Sequence, residues 1–418
     1  MPGRRAAGRV VAVARRLVVV GASLAGLRAV EGARAAGFTG PVTLVGAEPH
    51  PPYDRPPLSK EFLHGGAEPA PPLHRDPASY AAELDADLLL GEPATALDAA
   101  RRTVRVGGAD LPYDALVIAT GVRPRALPGA GALAGVHTLR TLDDARAIRR
   151  ALDDGARTVV VGAGFIGSEA AAAARRRGLP VTVVEALPTP LARAVGEPMG
   201  RLCGDLHAAN GVELRCGAPV AAVEGRGRVE RVRLADGTVL PADLVVVGVG
   251  SVPATDWLAG SGLELADGVV CDETLAAAPG VYAAGDVARW RNPLFGRRMR
   301  LEHWTGAAQQ GDIAGRNAAD PAAARPCPTV PYFWSDLYGT RVQFSGVPDA
   351  DRVECFGDPG GGGFAALYCR DDRLTGALVF DRPALALRYR ALIRQGAAFP
   401  DAVEYTASRL DPARAAVG

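Results

Sequence analysis

Lysine is almost missing from this chain. Of its 47 basic residues only Lys60 is a lysine, and every other one is arginine. Basic and acidic residues balance to a net charge of +1, which leaves no concentrated basic face for nucleic acid. No uninterrupted apolar run approaches the roughly 20 residues that cross a bilayer, so a membrane-spanning reading is excluded. The six cysteines (Cys203, Cys216, Cys271, Cys327, Cys355 and Cys369) stand far apart, with no C-x-x-C pair. That spacing argues against zinc, against a closely spaced redox disulfide and against a secreted disulfide scaffold; it favours reduced thiols and a cytoplasmic location. Residues 1–15 are rich in arginine and carry no acid, and they lack the apolar core of a secretion signal. A disordered tail is expected there.

What is present is a pattern that occurs twice. The β-branched run 16–20 stops at Gly21, a helical pattern follows residues 21–26, and a second apolar run spans 42–45. Strand, glycine turn, helix and strand make a βαβ unit. The order repeats at 158–161, with the turn at 162–167, a helix to Arg177 and a strand at 181–184. Residues 116–121 and 244–250 each form a buried run that stops at small residues, and 281–286 adds a strand ending in Gly285 and Asp286. A helix is expected over 307–319, a linker over 320–328 and a small α+β domain beyond it. The proline-rich segment 49–57 can continue neither strand nor helix, so it is expected to be a loop reaching away from the second strand.

At 418 residues the chain needs two or three domains. The fold class is α/β: two Rossmann-like dinucleotide-binding domains plus a C-terminal α+β domain, a glutathione-reductase-like architecture. The expected division is 16–122 with 253–325 for FAD, 123–252 for NAD, and 326–418 for the C-terminal domain.

Glycine between strand and helix lets backbone approach a pyrophosphate at the helix N-terminus, where N–H groups favour an anion. In the second copy Gly162, Gly164 and Gly167 surround Phe165 and Ile166, and Glu185 closes the next strand. A carboxylate there accepts from both ribose hydroxyls of NADH and repels the 2′-phosphate of NADPH. Arg193, a few residues on, is the basic residue that keeps NADPH in view. In the first copy Ser23 stands at the middle glycine position, between Gly21 and Gly26. The acid expected after its second strand is replaced by Ala47, and Glu48, one step further, is the candidate ribose ligand. Two dinucleotide sites without a metal constellation imply two cofactors passing electrons. FAD in the first unit and NADH in the second is the economical assignment.

The ordered motifs at 18–26, 52–60, 119–121, 139–145, 162–169, 285–286, 302–304 and 333–336 resemble the FAD-dependent NAD(P)H–ferredoxin reductases of bacterial cytochrome P450 and aromatic-ring dioxygenase systems. The likeness runs from about residue 16 to the C-terminus. It implies that Gly21, Ser23, Leu24, Ala25, Gly26, Ala119, Thr120 and Gly121 lie along FAD, with Arg55, Arg140, Asp286 and Trp304 in contact with it and Ala94 near its adenine. It implies that Gly162, Gly164, Phe165, Ile166, Gly167, Glu169, Glu185, Arg193 and Gly250 take NAD. Lys60 would face Glu169 beside the reactive flavin nitrogen, and Trp334 would approach the ring from the third domain; these three are the catalytic candidates. Gly306 departs from the family, which often carries asparagine there. The implied partner is a [2Fe–2S] ferredoxin, with a P450 or dioxygenase downstream; the chain is a monomer or a homodimer. A disulfide reductase or peroxidase of this architecture would need a cysteine from the first βαβ region, and the first cysteine is Cys203. A small-acceptor reductase of the monodehydroascorbate kind, and a flavin redox sensor resembling apoptosis-inducing factor, share the motifs.

Overall fold

The run Leu17–Val20 is buried at all four positions in the computed structural model, which describes residues 15–130, 133–361 and 363–411. A β-branched strand covered on both faces belongs in the middle of a parallel sheet. Accordingly Leu17 pairs in parallel with Val42 on one side and with Ala115 on the other. The full order across this sheet is Ala276–Ala278, Val281–Ala283, Ala115–Ile118, Leu17–Val20, Val42–Gly46 and Ala86–Leu90. Strands after residue 253 therefore complete a sheet begun before residue 122. The expected tail lies outside the described residues apart from Arg15, whose Nη1 donates to Ala319 O at 3.0 Å.

The second sheet repeats the design. Thr158–Val161, buried throughout, lies between Val181–Val184 and Leu244–Val247, with Glu213–Arg215 and Val136–Thr138 at the edges. The chain crosses between the two units through a two-stranded ribbon, Val122–Pro124 against Ser251–Pro253. The third sheet is antiparallel, in the order Tyr332–Leu337, Thr340–Gly346, Arg373–Phe380, Gly363–Arg370 and Arg352–Asp358. The helices Pro383–Arg394 and Phe399–Leu410 bury Tyr389, Ile393, Phe399 and Ala402 against it.

Two features depart from sequence expectation. The helix expected from 307 begins at Trp304 and runs to Ala319. It lies so close to Leu24–Ala35 that a Cβ on Gly315 would sit 1.9 Å from Ala29 O, and one on Gly311 2.3 Å from Ala25 O. Only glycine allows this backbone approach, and it carries Trp304 up to the first glycine turn. The second departure is the proline-rich segment. It leaves the second strand as expected, but it folds into the short 3₁₀ turns Pro56–Ser59 and Glu61–Leu63 and buries Leu58, Phe62 and Leu63 in the core of the other unit.

Candidate functional site

Each glycine turn is locked by backbone contact. A Cβ on Gly26 would meet Gly21 O at 1.9 Å, and one on Gly167 would meet Gly162 O at 2.0 Å. Neither following helix has a side-chain cap or an acid in its first turn. Their leading N–H groups are thus left for an anionic ligand. Two crevices open there. Ser23, Leu24, Ala25, Arg55, Lys60, Ala119, Gly121, Asp286, Trp304 and Trp334 line the first. Gly162, Gly164, Glu185, Arg193 and Gly250 line the second. Leu139, Arg140, Phe165, Ile166 and Glu302 line both, so the crevices meet at that shared wall.

Beside the wall lies a buried cluster of charge-assisted contacts. Lys60 Nζ is 2.7 Å from Glu169 Oε1, with the two side chains only 15% and 4% exposed. Ser335 Oγ donates to the same oxygen at 2.6 Å, and Ser59 Oγ donates to Oε2 at 2.5 Å. Three donors therefore converge on one buried carboxylate: two from the first unit's loop, and Ser335 from the C-terminal sheet. Sequence reasoning singled out Lys60 and Glu169 but missed both serines. Each sits next to a residue that was named, Lys60 or Trp334, and strand alternation at 333–337 turns Ser335 to the face opposite Trp334.

Arg55 is held on every side. It donates to Ser23 Oγ (3.3 Å), Tyr53 Oη (3.1 Å), Arg140 O (2.6 Å) and Glu48 Oε1 (2.7 Å). Burial opposes its charge, but Tyr53 and Glu48 outweigh burial and raise its pKa. Burial also pushes the Tyr53 phenol well above its ordinary value. The Tyr53 hydroxyl donates to Glu48 Oε2 and accepts from Leu142 N at 3.0 Å. Glu48 thus holds both Arg55 and Tyr53. Arg140 Nη2 meets Asp286 Oδ2 at 3.0 Å, and the adjacent Gly285 N donates to the buried Gln310 Oε1 at 2.9 Å. Thr120 Oγ1 donates to Ala254 O at 2.9 Å, and Ala94 starts the strand Ala94–Asp98 opposite Val106.

In the second crevice Glu185 accepts from Ala163 N at 2.8 Å and Leu187 N at 2.9 Å. Two backbone donors fix the orientation of this carboxylate. Replacing it with alanine is expected to cost one charge-assisted hydrogen-bonding group, about tenfold or more in kcat/KM for NADH, while narrowing the preference over NADPH. Equal loss for both nucleotides in a steady-state comparison would count against a ribose role.

The aromatic residues form a connected series. Trp304 Nε1 donates to Asp54 Oδ1 at 2.7 Å, and its ring lies 6.2 Å from Trp334, which stacks on Tyr332 at 6.2 Å. On the opposite side of the same strand Phe333 packs on Phe165 at 4.3 Å and on His303 at 5.4 Å.

Two histidines are kept neutral here. Burial lowers His303, and separately His207, from 6.5 to about 4; for His303 the neighbouring Glu302 pulls the other way. His207 bridges Ser168 Oγ (3.2 Å) and Tyr338 Oη (2.8 Å). A depressed folded-state pKa stabilises the fold above pH 6.5 and loses that contribution as pH falls toward 4. Each residue should cost about 2 kcal/mol between roughly pH 7 and pH 5. Urea midpoints at the two pH values check this; an unchanged midpoint in wild type, or an unchanged difference in His207→Gln, contradicts it.

None of the residues lining either crevice is a cysteine, and all six cysteines are free. Among the described residues no group of three His, Cys, Asp or Glu side chains is placed to hold a metal, and no helix is long and apolar enough to cross a membrane. Two parallel-sheet nucleotide units with meeting crevices, closed by an antiparallel third domain, define a two-nucleotide oxidoreductase.

The chain belongs to the pyridine nucleotide-disulphide oxidoreductase family, whose model matches residues 15–311; a reductase C-terminal model matches 332–410. It is similar to rhodocoxin reductase of Rhodococcus erythropolis, 37% identical over 88% of this chain and 86% of that one. The ferredoxin–NAD(+) reductase component of the biphenyl dioxygenase system of Paraburkholderia xenovorans is 40% identical over 79% and 80%. Among solved structures, the covalent putidaredoxin reductase–putidaredoxin complex matches with a TM-score of 0.84 at 34% identity, covering 91% of this chain and 93% of that one. FAD and NAD(H) are the cofactors of this family, and the capless helix N-termini over glycine turns fit the two pyrophosphates.

Proposed function

We propose that the chain is an NADH:ferredoxin reductase. Electrons pass from NADH through FAD to a [2Fe–2S] ferredoxin that supplies a cytochrome P450 or a ring-hydroxylating dioxygenase. The observation that carries this reading is the shared wall of the two crevices, with Lys60 and Glu169 beside it and Trp304 and Trp334 leading away. We assign FAD to residues 16–122 and 253–325, NADH to 123–252, and the acceptor face to 326–418. A cytoplasmic location is supported by the free thiols.

Bound together, the cofactors supply hydride transfer from the nicotinamide and one-electron release from the flavin. The chain's own residues orient and charge the site. Glu185 would take the adenosine ribose of NADH, and Phe165 and Ile166, which line both crevices, would form the wall between the nicotinamide and flavin sites. Glu169, held by Ser59 and Ser335, fixes the Lys60 ammonium, which would stabilise negative charge on a reduced flavin bound in the first crevice. Arg140, tied to Asp286, and Arg55 line the FAD side. The Trp304 indole, anchored on Asp54, and Trp334 beside it both line the first crevice, where they would cover the flavin and relay toward the acceptor.

The test is an assay with NADH and a [2Fe–2S] ferredoxin. Trp334→Ala is expected to slow ferredoxin reduction about tenfold while leaving reduction of the flavin by NADH within about twofold. Fast flavin reduction with no ferredoxin turnover in wild type would sink the reading, and turnover of a small organic acceptor in its place would point to the monodehydroascorbate-like alternative.

A further inference from the structure

The loop that carries Lys60 belongs to the first unit by sequence and to the second by contact. Tyr53, Leu58, Phe62 and Leu63 pack among Leu142, Ile148 and Ala170 of the second unit. Two arginines then close over it. Arg149, 3% exposed, sits on the helix Leu142–Asp153 and donates to Phe62 O (2.7 Å), His64 O (2.6 Å) and Gly66 O (2.5 Å). Arg177 caps the helix Phe165–Arg176 and donates to Leu63 O (2.7 Å) and His64 O (3.0 Å). Asp153 faces both, 3.7 Å from Arg149 and 2.5 Å from Arg177.

The chemistry is specific to arginine. A 3₁₀ turn leaves its last carbonyls without partners, and here those of Phe62 and Leu63, together with His64 and Gly66 just beyond the turn, point at guanidinium forks. A planar fork can serve two or three carbonyls at once; an ammonium cannot hold that geometry. Lys60 is bound to this turn, because Leu63 N donates to Lys60 O at 2.9 Å. The helix Phe165–Arg176 also carries Glu169 near its start. One rod therefore holds Lys60 twice: through Glu169 near its N-terminal end, and through Arg177 and the 3₁₀ turn at its C-terminal end.

We propose that Arg149 and Arg177 are positioning residues for hydride transfer: by gripping carbonyls 62–66 they make Lys60 part of the NADH unit and hold its ammonium at Glu169. The proposal rests on the reading that Lys60 acts beside the flavin. It explains why the loop crosses from one unit to the other, and it places the arginine at 149 immediately downstream of the 139–145 motif.

The experiment uses FAD-loaded enzyme carrying Arg149→Lys, Arg177→Lys or Lys60→Met. Four quantities are read: amide exchange over residues 60–66, the anaerobic rate of flavin reduction by NADH, KM for NADH, and ferredoxin reduction by enzyme pre-reduced with dithionite. Both arginine variants are expected to exchange faster and to reduce flavin about tenfold more slowly, since a small misplacement of a charged group is enough. KM for NADH and the ferredoxin step should stay at wild-type values. Faster exchange with a wild-type reduction rate overturns the proposal, as does an equal loss in all four measurements, which would mark general loosening. Arg177→Lys keeps its charge beside Asp153, and it carries the test should Arg149→Lys fail to fold. A normal reduction rate in Lys60→Met removes the reading of Lys60 itself; a slow Lys60→Met with normal arginine variants removes only the clamp.

Discussion

Lys60→Met is expected to slow reduction of the flavin by NADH about a hundredfold, the scale of removing one preorganised donor from a developing negative charge. The same substitution strands Glu169, which is 4% exposed, with two serine hydroxyls in place of an ion pair. Removing one partner of a buried pair costs about 3 kcal/mol or more, because the other charge stays in a low-dielectric site. Lys60→Arg separates charge from shape. The broad guanidinium does not fit where an ammonium sits 2.7 Å from a carboxylate oxygen that also accepts from Ser335, so about a tenfold slowing is expected with charge retained. Stopped-flow bleaching of the flavin reads the rate and urea melts read the stability. Glu169→Gln combined with Lys60→Met should be no slower than the worse single variant, because the pair acts as a unit. Wild-type rates in both Lys60 variants would leave the residue a mere survivor in an arginine-rich chain.

The second large effect is a contrast between two glycines. Gly26→Ala places a Cβ 1.9 Å from Gly21 O and 3.2 Å from Leu44 Cδ1; Gly167→Ala places one 2.0 Å from Gly162 O and 3.2 Å from Val160 Cγ1. In both cases the obstacle is backbone at the end of a central strand, which cannot swing aside. The turn must open, and overpacking of this kind costs about 1–3 kcal/mol. Taken from binding, that is about tenfold to a hundredfold in dissociation constant. Gly26→Ala protein is expected to emerge with much of its FAD missing, while Gly167→Ala keeps FAD and shows a raised KM for NADH. Flavin absorbance per protein and a saturation curve decide it. The reverse outcome, with Gly167→Ala losing flavin, would exchange the two assignments.

Much of the architecture was legible because it depends on near neighbours. Leu17–Val20 and Thr158–Val161 are fully buried β-branched runs, and each is followed at once by a glycine turn whose close packing spans five residues. Such a unit carries its own evidence for strand, turn, helix and anion site. The helix at Trp304–Ala319 was legible in part. Its glycines at 311 and 315 lower helix propensity, and their reason, close contact with Leu24–Ala35, lies nearly three hundred residues away in the chain.

The sequence by itself determined two nucleotide units, their order, the acid at Glu185 and a third domain of another kind. The tertiary structure alone decided how the reactive junction is put together. Ser59 reaches Glu169 across 110 residues, Ser335 reaches it across 166, and Trp304 reaches Asp54 across 250. It also decided that the proline-rich loop turns to the second unit, because Leu58, Phe62 and Leu63 find their apolar partners there and Arg149 and Arg177 satisfy the carbonyls its tight turns leave open. Periodicity and turn chemistry act over a few residues, whereas a buried carboxylate takes whatever donors the fold brings within hydrogen-bond reach.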